Sequence, residues 1–110
     1  MKELYKQIIN GIEYTVGLAT QKELRDVMEE QDEYNGVHYS RKRLILIVAD
    51  LDYNQSLKSY AHEYIHAHRF ALGYDTNTPL NEEAICDYIG ANYDTIYHMT
   101  EHFGKHIKEE

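Results

Sequence analysis

His62-Glu63-Tyr64-Ile65-His66 constrains the fold more than any other stretch of the chain. Its two histidines can act together if the segment is helical. At 3.6 residues per turn, residues four apart lie one above the other on one face. Two imidazoles so placed can both ligate one tetrahedral zinc ion, leaving room for a third protein ligand and a water. Glu63 stands about 100° round the helix from His62. From there it can reach a water activated by the metal without being a ligand, as a general base requires. The plain alternative is a solvated helix face that carries two histidines by chance.

Context favours the metal. Seventeen residues after His66, the segment Asn81-Glu82-Glu83-Ala84-Ile85-Cys86-Asp87-Tyr88-Ile89-Gly90 contains E-x-x-x-D-x-x-G. On a helix, Glu83 and Asp87 share a face. Glu83 can supply the third ligand. Asp87 can accept the free N–H of a ligating histidine and so fix its tautomer. Acidic residues at a helix start also favour the helix dipole, and that alone would explain Glu82 and Glu83.

The two motifs together resemble the gluzincin metallopeptidases, the thermolysin-like class. Asn81 and Glu83-Ala84-Ile85-Cys86-Asp87 resemble the Asn-Glu-Ala-Ile-Ser-Asp run that carries that family's glutamate ligand, with Glu82 inserted. The resemblance covers residues 57–93. It implies one zinc ion on His62, His66 and Glu83, catalysis by Glu63, and support from Asp87 behind the ligands. A softer likeness extends to small phage-type metallopeptidases and to minimal gluzincins. The chain departs from the larger enzymes in lacking a downstream subdomain, so no transition-state His or Tyr carries over.

At 110 residues the chain fits one domain, residues 1–110, with one modest core. Eleven tyrosines and no tryptophan suggest that tyrosine fills a thin core, with its hydroxyl reaching water. A net charge of −8 disfavours nucleic-acid and anionic-membrane partners, because phosphates attract basic surfaces. The single Cys86 excludes an internal disulfide and reads as a small buried side chain. No secretory apolar region follows Met1, and the longest apolar run, residues 44–49, is too short to span a bilayer. A cytoplasmic protein is the expectation.

Along the chain, residues 4–9 and 12–16 read as strands around Asn10-Gly11, the signature of a type I′ hairpin. Thr20 and Glu23 form a capping box for a helix running to about Gln31, with Leu24, Val27 and Met28 as its apolar stripe. After a turn at Asn35-Gly36, residues 37–40 and 43–48 read as strands. The run 44–48 is apolar on both faces and therefore central or covered twice. One of these two strands borders the cleft beside the motif helix, and spacing does not choose between them. Asp52 or Asn54 caps the motif helix, which continues through Leu72 with Gly73 beyond its end. Leu57, Ala61, Ile65 and Leu72 are its expected buried stripe, and His68 its expected surface histidine.

Residues 74–78 read as a polar loop, and Pro79 opens a last helix from Leu80 to about Lys108. Ile85, Ile89, Ile96, Phe103 and Ile107 recur along it at helical spacing, and Gly104 is a candidate break. Asp94, His98, His102 and His106 form a ladder that reads as a solvated polar face.

The expected fold is a minimal α+β zincin-like domain: a three- or four-stranded sheet, an N-terminal helix, an active-site helix and a C-terminal helix bearing the glutamate. The expected function is zinc-dependent peptide hydrolysis on a peptide or protein substrate, with Tyr93, Tyr97 and His98 as candidate transition-state stabilisers. The alternatives are a zinc-binding interaction module of the same fold, or a peptidase restricted to one partner protein. Latency is a further expectation: the C-terminal end carries His102, His106, Glu109 and Glu110, and the chain could leave the helix past Gly104 and turn back to plug the zinc site. The chain would then be a monomer or a dimer that exchanges tails.

Overall fold

A computed structural model of the chain describes residues 1–28, 33–73 and 81–108. The expected loop 74–78, Pro79, Leu80, the end of the first helix at Gln31, and Glu109 and Glu110 lie outside the described residues.

The alternating N-terminal segments form β1 (Lys2–Ile9) and β2 (Ile12–Ala19), paired antiparallel. Asn10 and Gly11 both take positive φ, 45° and 85°, as the type I′ turn requires. The capping box closes as expected: Thr20 Oγ1 accepts the Glu23 N–H, and Glu23 Oε1 accepts the Thr20 N–H. It starts α1 (Gln21–Met28). The chain returns through β3 (Gly36–Tyr39), a single 3₁₀ turn over Ser40–Lys42, and β4 (Leu44–Val48). The sheet has four strands in the order β1-β2-β4-β3. β4 runs parallel to β2 and antiparallel to β3.

The double-sided apolarity of β4 has its expected cause. Ile45 and Ile47 face a core with Ile9, Tyr14, Val16, Tyr60, Tyr64, Ala67 and Phe103, on the side of α2 (Tyr53–Ala71) and α4 (Tyr93–Lys108). Leu46 and Val48 face a second core with Ala19, Leu24 and Val37, on the side of α1. Both faces of the central strand are therefore covered.

Asp52 caps α2, accepting the Gln55 N–H at 2.8 Å, and Gly73 takes φ 86° just beyond it. The buried face of α2 is not the expected one. Ser56, Tyr60, Glu63, Tyr64 and Ala67 are buried, whereas Leu72 is exposed. Aromatic packing turns the helix: Tyr60 stacks on Phe103 at 4.6 Å and 10°, and on Tyr64 at 5.9 Å. The tyrosines do fill the thin core, but the hydroxyls of Tyr5, Tyr14 and Tyr60 do not reach water. Tyr60 Oη donates to Gln7 Oε1 at 3.0 Å, and the buried Tyr14 hydroxyl meets His38.

The last helix is two helices. α3 (Glu82–Ala91) ends at Asn92 and α4 begins at Tyr93. Asn92 leaves helical geometry with φ −111° and ψ 14°. Its side chain and its backbone N–H both bond the Tyr88 carbonyl, at 2.9 and 3.1 Å. This is the local competition by which asparagine interrupts helices. Gly104 is not a break. It is buried within α4, where a Cβ would lie 2.6 Å from Tyr53 Oη and 3.0 Å from Leu57 Cδ2. Its missing side chain lets α4 approach α2. Cys86, expected to be buried, is exposed on α3.

Candidate metal site

β3 is an edge strand, and its free edge lies beside the motif on α2. This decides between the two strands that could border the cleft. The Asn35 carbonyl accepts from Val48, and Val37 and Tyr39 pair with Leu46 and Leu44. By the alternation of an antiparallel ladder, Gly36 and His38 then turn their N–H and C=O groups outward. The cleft along this edge is lined by Met28, Tyr34, Gly36, Val37, His38, His62, Glu63 and His66, with a volume of about 360 Å³. It continues past Glu63 into a second hollow of about 380 Å³ beside Asn35, Lys58 and Ser59.

His62, Glu63 and His66 form a group whose ligand atoms all lie within 4.8 Å of one another, and which could hold a metal ion. His62 Nε2 and His66 Nε2 are 3.3 Å apart, with their rings edge to face. Two nitrogens at opposite ends of a tetrahedral edge, each about 2.05 Å from a zinc ion, are separated by about 3.3 Å. The spacing of the donor pair therefore suits a tetrahedral ion. His62 is exposed and His66 half-buried, so the ion's remaining positions would face the cleft.

Glu63 is held differently. It is buried, and burial pushes its carboxyl up; His62 and the backbone N–H of His38, which donates to it, act in the opposite direction. Its Oε2 lies 3.8 Å from His62 Nε2. Gly36 makes room for it, since a Cβ at that position would lie 3.2 Å from Glu63 Cγ. The edge strand thus aims the carboxylate as well as bordering it.

Glu83 and Asp87 stand exposed on α3, whose start is capped by Asn81 accepting the Ala84 N–H at 2.8 Å. Neither belongs to the group formed by His62, Glu63 and His66. α3 is tied to α2 by His68, whose Nδ1 bonds the Tyr88 hydroxyl and whose ring stacks on Tyr64 at 5.8 Å. His68 is therefore a half-buried anchor between helices rather than a surface group, and burial lowers its pKa.

Tyr93, Tyr97 and His98 line neither part of the cleft. Tyr93 and Tyr97 are exposed and stacked on each other, and Tyr97 lines a separate hollow with Tyr53 and Leu57. His102 and His106 do not plug the site. Both pack on Tyr5 of β1, at 4.6 and 4.4 Å, and β1 is the opposite edge of the sheet from β3. Three strand spacings, about 14 Å, separate the two edges. The ladder that read as a solvated face is thus in part a packing face.

Sequence reasoning missed His38. It lines the cleft, its Nε2 is 2.7 Å from Tyr14 Oη, and its ring lies 5.7 Å from that of Phe70. Burial first, then the nearby His66 and Arg43, lower its pKa to about 4, so the ring is neutral at neutral pH. The available signal was its register: one residue from Val37, it faces the opposite side of β3 and so the motif helix.

Comparisons of the chain with family models, with curated proteins and with solved structures find no match. Among the described residues, no helix is long and apolar enough to cross a membrane.

Proposed function

We propose that the chain is a zinc-dependent, gluzincin-like metallopeptidase. The observation that carries this reading is the joint geometry of His62, Glu63 and His66: two nitrogens at tetrahedral spacing, and beside them a buried carboxylate held by the edge strand. His62 and His66 would hold the ion, with Glu83 of α3 as the third ligand and Asp87 behind them. A zinc ion there would polarise a carbonyl and lower the pKa of a water towards ~7. Glu63 takes the proton of the attacking water and returns it to the leaving amine. Its burial makes it a better base than a solvated carboxylate. An extended peptide lies along the edge of β3, within the cleft that runs past Glu63 on both sides, and pairs with outward backbone groups other than the His38 N–H, which Glu63 holds.

A second reading has its own observation. Glu63, not Glu83, stands with the two histidines. If Glu63 is itself the third ligand, no base remains, and the protein is a metal-binding interaction module. The zinc content of purified Glu63→Gln separates the two. The peptidase reading expects the variant to keep zinc and lose hydrolysis of a peptide library. The module reading expects it to lose zinc.

A further inference from the structure

The cleft contains a donor that neither motif supplies. We propose that His38, fixed by Tyr14, donates a hydrogen bond to the substrate oxygen on which negative charge develops during hydrolysis. The inference rests on the peptidase reading and gives β3 a role expected of Tyr93, Tyr97 or His98.

Three features carry it. The first is position. His38 shares the cleft wall with Glu63 and His66, yet it is not one of the residues whose ligand atoms cluster within 4.8 Å. It borders the ligand group without joining it, which is where a group that touches substrate rather than metal must stand. The second is protonation. Tyr14 is fully buried, and burial raises its pKa, so its hydroxyl keeps its proton. The partner of that hydroxyl is His38 Nε2 at 2.7 Å. If Nε2 carried the ring's proton, the buried hydroxyl would have to accept it and would leave its own hydrogen unspent, which a buried donor does not do without cost. Tyr14 therefore donates, Nε2 accepts, and the ring's proton sits on Nδ1 as a donor.

The third feature is rigidity. The ring is held against Phe70, and the His38 backbone N–H is spent on Glu63. Base and donor are thus fixed by one residue of one strand. A hydrogen bond that needs no reorganisation is the kind that favours a transition state over a bound substrate. Tyr14 is the positioning residue, since it touches no part of the cleft and acts through the tautomer it imposes.

Two measurements on the full chain test this. The first is the tautomer of His38, read from ¹⁵N–¹H correlations of histidine-labelled protein. A proton on Nδ1 is expected, with loss of that preference in Tyr14→Phe. A proton on Nε2 in the wild type overturns the proposal. The second is calorimetric titration of the zinc-loaded protein with acetohydroxamate, whose carbonyl oxygen takes the place of the substrate oxygen. His38→Phe is expected to bind it about tenfold or more weakly with zinc content unchanged. His38→Asn is expected to stay within about threefold of wild type, because its amide nitrogen is as many bonds from Cβ as Nδ1 is. Undiminished affinity in a folded, zinc-loaded His38→Phe overturns the proposal, and so does loss of zinc from that variant, which would make His38 a ligand. If His38→Phe does not fold, His38→Asn and Tyr14→Phe decide, the latter with an expected weakening of about threefold or more. A wild-type protein that takes up no zinc sinks the peptidase reading and this inference together, whatever the tautomer.

Discussion

Gly36 and Glu63 are in contact across the cleft: a Cβ on Gly36 would lie 3.2 Å from Glu63 Cγ, 2.8 Å from Ile47 Cδ1 and 3.1 Å from the Leu46 carbonyl oxygen. The backbone contact cannot yield as a side chain can. Gly36→Ala should therefore push β3 and Glu63 apart and lower stability by about 1–3 kcal/mol. Zinc content should be much less affected, because both histidines belong to α2. Thermal melting and metal analysis of the variant check both halves; an unchanged melting temperature would count against the contact.

Glu63→Gln keeps the shape of the side chain and its place beside His38 while removing the base. Zinc content should match wild type, and peptide hydrolysis should fall by at least about 10²-fold. Activity equal to wild type would sink the proposed chemistry.

The ligand assignments separate by degree. His62→Ala and His66→Ala should each abolish stoichiometric zinc binding, since three protein ligands leave no redundancy. Glu83→Ala should do the same under the proposed ligand set, and Asp87→Ala should weaken zinc about 10–100-fold. Competition with a chelating dye measures all four. Full-strength zinc in Glu83→Ala would remove α3 from the site.

Acid should act through Glu23. Hydrogen bonding to the Met1 ammonium and to the Thr20 N–H holds its pKa at about 2, below the ordinary value of 4.5. A carboxyl depressed in the folded state lends stability that is fully present above the unfolded pKa and is lost as pH falls through the folded one. The melting-temperature gap between wild type and Glu23→Gln should be constant from about pH 5 to about pH 7 and should narrow towards pH 2. A gap that does not depend on pH would show that the capping geometry, not the charge, is what Glu23 contributes.

Local signals were legible in the sequence and long-range ones were not. The hairpin, the capping box at Thr20 and Glu23, Asp52 and Gly73 at the ends of α2, and the helical spacing of His62 and His66 all depend on residues within a few positions of one another. The order of the sheet depends on which distant strands bury which faces. So β3 could not be recognised as the edge beside the motif, although its alternation was plain. The same limit hid His38, whose partner Tyr14 is 24 residues away on the other side of α1. It also misplaced the buried stripe of α2, where stacking on Phe103 outweighs the aliphatic pattern. The break at Asn92 is local but has no periodic signature: apolar residues recur on both sides of it, and periodicity alone carries a helix through an asparagine that in fact stops it.

The sheet order also decides how the protein can be handled. α4 packs beside β1, through Tyr5 with His102 and His106 and through Gln7 with Met99, whereas the cleft opens beside β3. A purification tag, a fluorophore or a surface-immobilisation linker joined behind Lys108 therefore starts beside Leu18, Leu51 and Tyr53, none of which lines the cleft. The same attachment made just before Gly36 would fall across the mouth of the cleft. It would obstruct the very measurement it was meant to serve.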